Sequence, residues 1–235
     1  MPPKRPPSPG ALLVLCTIGA VVATWAAVAI DQAIRLVAAG AVGIQAGGLA
    51  LSAGPARLPA VQWGAWSAVA PLAAAAVVLS GSLLLVPAAA ALDGLVRLVR
   101  APGLLRGLSL ELVLVALAWW PAALFAGAFA SSDGPVGELY QRIGGPKAGR
   151  WATLGLGVLV LVLVAGPAAG RAVAVAGAWM RTDGRGFRQR LVRTVAGYPV
   201  ALALLALTLQ GNWLPAAAAV VWAAAWVAAL QFRTR

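Results

Sequence analysis

Apolar residues run along this chain in blocks of about twenty, broken by short clusters of Arg, Gly and Pro. Ala11 to Ile30 is twenty residues without a charge. As a helix it is about 30 Å long, the thickness of a bilayer's hydrocarbon core. Similar blocks predict helices near 66–90, 108–130, 151–170, 195–209 and 214–230. The apolar stretch Val61 to Leu92 is too long for one straight span, so the second helix is placed from about Trp66 to Ala90 with a bend at Pro71. The turn Gln210-Gly211-Asn212-Trp213 makes the last two helices a hairpin.

Residues 36–53 are ambiguous. They are uncharged but rich in glycine (Gly40, Gly43, Gly47, Gly48), and Gly-rich segments insert poorly compared with Leu-rich ones. The segment is left out, which gives about six spans within a range of five to seven. The expected fold class is therefore all-α: a polytopic transmembrane helix bundle. Residues 1–10 form a Pro-rich cytoplasmic tail, 11–232 a single helical domain, and 233–235 a short cytoplasmic tail. A signal peptide is the rival reading of the first block, because Ala27-Val28-Ala29 fits a cleavage site. The block exceeds the usual 7–15 residues of a signal's apolar region, so a retained span is preferred.

Composition supports the pattern. Of 235 residues, 62% are hydrophobic and 10% charged. An ordinary soluble domain has roughly 45–50% and about 25%. A soluble fold of this length must face water with much of its surface and has too few polar residues to do so.

The net charge of +12 brings nucleic acid to mind. A nucleic-acid binder gathers its basic residues on one wet face, whereas here they punctuate apolar blocks, as membrane topology requires. With six spans and the N-terminus inside, 13 Lys and Arg fall inside and 5 outside. With seven spans the counts become 12 and 6. Both layouts put the C-terminus in the cytoplasm, and the cell membrane is the expected location.

The chemistry is narrow. There is no histidine, which removes Ser-His-Asp and Cys-His catalysis and His-ligated zinc or haem. One cysteine, Cys16, makes no internal disulfide. No cofactor or metal site is expected, and the chain is read as not an enzyme.

Glu111 is the chief candidate for an intramembrane polar site, because ionisable groups in a membrane are costly and often functional. Its structural alternative is an acid near a helix start, favoured by the macrodipole and paired with Arg106. Arg171 is the second candidate, with snorkelling to the inner interface as the alternative. Asp31 with Arg35, and Asp93 with Arg97, have the i,i+4 spacing of ordinary helix-surface pairs. Two Arg-rich inner loops offer contact with anionic lipid or a partner. They carry Arg97 and Arg100 in the first and Arg185, Arg188, Arg190 and Arg193 in the second.

The expected function is a non-catalytic subunit, scaffold or accessory component of a membrane assembly. The expected partners are the bilayer, anionic lipids and other membrane subunits. The alternative is a small transporter or channel with kinked helices and Glu111 as its ion or proton site.

Overall fold

A computed structural model describes residues 9–50, 60–63, 70–101 and 103–129, together with scattered positions between Trp151 and Ala224. Helix α1 spans Pro9–Ala41, strand β1 Ala46–Ala50, strand β2 Ala60–Trp63, helix α2 Pro71–Leu98 and helix α3 Gly103–Phe129. The fold of the described residues is helical. Its one departure is the short antiparallel ribbon β1–β2, in which Ala46 faces Trp63 and Ala50 faces Ala60. The predicted spans near 195–209 and 214–230 lie almost wholly outside the described residues; of 151–170, 11 positions are described and all are helical.

Among the described residues, two helices are long and apolar enough to cross a membrane, over Val14–Ala41 and Leu72–Leu98. By rise per residue α1 is about 50 Å long, α2 about 42 Å and α3 about 40 Å.

Several boundaries differ from expectation. Helix α1 does not end near Ile30 but runs on through Asp31 and Arg35 to Ala41. Of the ambiguous segment 36–53, the described residues 36–50 are the end of α1, a turn and β1, rather than a separate helix. Pro71 is not a bend inside α2 but its first residue. Proline suits that position, because the first N–H of a helix has no intrahelical acceptor. Asp93 and Arg97, expected in a loop, lie in the last turns of α2. Pro87 is inside α2 on an exposed face.

Both α1 and α2 end in the same hydrogen-bonded motif. After α1, Ile44 N–H donates to Ala39 C=O (2.9 Å) and Gly43 N–H to Gly40 C=O (3.2 Å), with Gly43 at φ 74°. After α2, Ala101 N–H donates to Val96 C=O and Arg100 N–H to Arg97 C=O, both at 3.1 Å. The residue in the left-handed position here is Arg100, at φ 52°. Glycine normally fills that position, because a Cβ there costs roughly 1–2 kcal/mol.

The helices pack pairwise, each against both others. Gly19 of α1 lies beside Leu108 and Glu111 of α3, and Gly81 of α2 beside Asp31 and Arg35 of α1. Asp93 near the end of α2 meets Ser109 near the start of α3. Together these contacts set α2 antiparallel to both α1 and α3.

Both α1 and α2 turn large apolar side chains outward, and the inner stripe of α1 is mostly small. The inner stripe of α1 is Gly19, Ala20, Ala23, Thr24, Ala27, Val28 and Asp31. Its outer face carries Val14, Leu15, Ile18 and Val22, each at least half exposed. Helix α2 buries Ala74, Val77, Gly81, Leu85, Ala89 and Asp93 and turns Leu72, Leu79, Leu83 and Leu84 outward. Small residues inside let backbones approach closely. Helix α3 is buried on every side from Ser109 to Ala116, the pattern of a central helix.

Candidate functional site

The chain has six acidic residues. Three of them are buried among the described residues, one from each helix: Asp31, Asp93 and Glu111. They form three separate polar sites along the helix interfaces.

Asp31 is 1% exposed, and Arg35 one turn later places Nε 3.0 Å from Asp31 Oδ2. Arg35 Nη2 also donates to Asp31 Oδ1 at 3.3 Å, and Gln32 Nε2 approaches Oδ2 at 3.4 Å. The pair sits against Gly81 of α2. A Cβ built on Gly81 would fall 2.6 Å from Arg35 Nε and 2.9 Å from Asp31 Cγ. Glycine is thus required here for space, and the spacing of acid and base is as expected. The setting is not, because this is a helix–helix contact rather than a free surface.

Asp93 is likewise 1% exposed. It accepts a hydrogen bond from Ser109 Oγ (2.9 Å) and an ion pair from Arg97 Nε (3.0 Å). Ser109 Oγ also approaches the Arg106 carbonyl at 3.1 Å. The carboxylate ties α2 to α3 and fixes the stem of Arg97, whose side chain stays half exposed. Asp93 also departs from the expected surface pair, since Ser109 covers it.

Glu111 is 5% exposed, and its Oε2 has no hydrogen-bond partner among the described residues. It is the ninth residue of α3, beyond the first turn where the macrodipole acts. Arg106 points outward, and the described ion pairs do not include one with Glu111. Both structural explanations expected for this acid are therefore missing. Gly19 of α1 lies beside it, and its sequence neighbours Leu110, Leu112, Val113 and Leu114 are buried. Cys16, one turn before Gly19, is half-buried. Among the described residues no three Cys, Asp or Glu gather as a metal-binding group would.

Thr24, the remaining buried polar residue of α1, satisfies its hydroxyl locally by donating to Ala20 C=O at 2.7 Å. That is the usual way a helix hides threonine.

A buried oxygen without a partner costs stability, and an apolar side chain of similar shape removes that cost. Glu111→Met is therefore expected to stabilise the protein by about 1–3 kcal/mol. Thermal unfolding in detergent reads this out, and a fall in the melting temperature would mean that Glu111 has a structural partner.

Arg97 and Arg100 lie at the end of α2 as exposed side chains. Arg171, Arg185, Arg188, Arg190 and Arg193 lie outside the described residues. Sequence reasoning picked Glu111, read Asp31 and Asp93 as ordinary surface pairs and did not single out Ser109. The signal available was Gly81, a small residue in a Leu-rich helix, which marks a close approach without saying what approaches. No protein-family model matches this chain, and neither a curated protein nor a solved structure is similar to it.

Proposed function

We propose that the chain is a multi-pass integral protein of the cell membrane, with about six spans and a cytoplasmic C-terminus. In this reading it is a non-catalytic subunit, scaffold or accessory component of a membrane assembly. The observation that carries the membrane part is the row of exposed large apolar side chains on each helix, Val14, Leu15, Ile18 and Val22 on α1 and Leu72, Leu79, Leu83 and Leu84 on α2, against an inner stripe of α1 made mostly of Gly and Ala. In water such outer faces would be a large apolar patch. In lipid they are in a matched solvent, and small residues do the packing. The Arg-rich segments at the inner end would meet anionic lipids.

Two measurements test the reading. Alkaline carbonate should leave the protein in the membrane pellet, and reporter fusions should place the α2–α3 turn and the C-terminus on the cytoplasmic side. Gentle detergent extraction should bring down defined partners in fixed ratio. Release by carbonate overturns the membrane reading, and purification as a lone chain overturns the assembly reading.

A second reading, a small transporter or channel, is favoured by one observation, the unpartnered oxygen of buried Glu111. Such a group inside a membrane marks ion and proton sites. Glu111→Gln keeps the shape and removes the charge. It is expected to abolish ion or proton flux into liposomes while leaving assembly with partners intact. Equal flux in both proteins ends this reading.

A further inference from the structure

We propose that the turn joining α2 to α3 is a binding site for the phosphate headgroup of an anionic phospholipid, formed by Arg97, Arg100 and Arg106. The proposal rests on the membrane-spanning reading above and names one site and one ligand class within it.

Four features converge on this turn. First, three arginines lie within ten residues at one end of the bundle, and all three are exposed. Guanidinium groups match phosphate oxygens in a planar, two-bond geometry.

Second, Arg97 is positioned. Asp93, itself buried and bound by Ser109, holds its Nε at 3.0 Å. A guanidinium has five N–H donors in a fixed fork, so holding one edge aims the other. With the stem fixed, less side-chain freedom is lost when a phosphate binds.

Third, Arg100 occupies a left-handed backbone position, φ 52°, that the equivalent turn after α1 gives to Gly43. The local hydrogen bonds are the same in both turns. Folding alone is served better by glycine. A strained residue kept where a relaxed one would do points to a task for its side chain.

Fourth, the arginines are interleaved with exposed apolar side chains. Leu98 is 80% exposed, Val99 64% and Leu105 48%. A site for a free inorganic anion, or for an acidic protein segment in water, has no use for that fringe. A phospholipid has both parts: a phosphate for the arginines and acyl chains for Leu98, Val99 and Leu105.

The test uses the full chain in nanodiscs and in neutral detergent, with phosphatidylglycerol and phosphatidylcholine as probes. Native mass spectrometry counts retained lipid, and thermal melts report stability. The wild-type protein should retain phosphatidylglycerol at least tenfold better than phosphatidylcholine. A headgroup-proximal photocrosslinker on phosphatidylglycerol should map to residues 95–106. R97Q/R106Q should lose most of that crosslink.

R100G separates binding from folding, because the two effects have opposite signs. It should melt higher than wild type in phosphatidylcholine nanodiscs, through relief of backbone strain. It should also lose several-fold of the crosslink and of the added stability that phosphatidylglycerol confers. Equal retention of the two lipids by the wild type overturns the proposal. So does an R100G protein with an undiminished crosslink, or variants that lose an acidic protein partner while lipid preference is unchanged. Carbonate extraction is run alongside: a protein that leaves the membrane fails the earlier reading, whereas one that stays but shows no lipid preference fails only this one.

Discussion

Replacing Asp31 with alanine is expected to destabilise the protein by about 3–5 kcal/mol. The loss does not measure the strength of the ion pair. It arises because Arg35, whose side chain is only 12% exposed, is left as a charge at a helix interface with its counter-ion gone. Forming the pair removes two charged groups from solvent, and that desolvation offsets much of their attraction. Two consequences follow. Asp31→Asn, which can still accept a hydrogen bond, should cost less than alanine. The double variant Asp31→Leu/Arg35→Met should be near neutral or more stable than wild type, since no charge then needs a partner. Equilibrium unfolding by SDS titration measures all three. A loss below about 1 kcal/mol for Asp31→Ala, the size of an exposed pair, would place Asp31–Arg35 at the surface.

The second large effect is at the opposing wall. Gly81→Val is expected to destabilise by about 3 kcal/mol or more, combining overpacking with displacement of the ion pair. Even an alanine Cβ would lie 2.6 Å from Arg35 Nε, far inside contact distance, so the charged groups or the helices must move. The coupling is specific and checkable. In a background lacking the pair, Asp31→Leu/Arg35→Met, the cost of Gly81→Ala should change by at least 1 kcal/mol, because the atoms it strikes are different. Strict additivity would mean that Gly81 answers to some other neighbour. At Gly19 the margin is wider: an added Cβ would sit 3.7 Å from both Glu111 Cγ and Leu108 Cδ2. Alanine there makes ordinary contacts.

Sequence and structure agree where periodicity and length carry the signal. The charge-free block from Ala11 lies in α1, and the block after Arg106 lies in α3. They part where the deciding quantity is three-dimensional. An i,i+4 acid–base spacing shows that two residues share a helix face, but not whether that face meets lipid, water or another helix. Asp31 and Asp93 were read as surface members for that reason, and helices α2 and α3 cover them. The first span was ended at Ile30, where the charge-free block stops, yet a paired acid and base can sit inside a helix when glycine opposite leaves them room. Pro71 was read as a bend because a proline within an apolar run is equally compatible with a kink and with a first turn. Glu111 was noticed because it interrupts hydrocarbon. That it lacks Arg106 as a partner depends on the direction of one side chain, which spacing does not reveal.

The central proposal is that α1 and α2 cross a bilayer with their exposed Leu, Val and Ile side chains in lipid. Spin labels on single cysteines in a Cys16→Ala background, reconstituted in liposomes, test it directly. At Leu79 and Leu83 of α2, both outward, the label should collide freely with apolar oxygen and rarely with a water-soluble nickel complex. At Leu85, fully buried, it should be sheltered from both. Nickel collisions at Leu79 and Leu83 as frequent as those of oxygen would put that face in water and contradict the account.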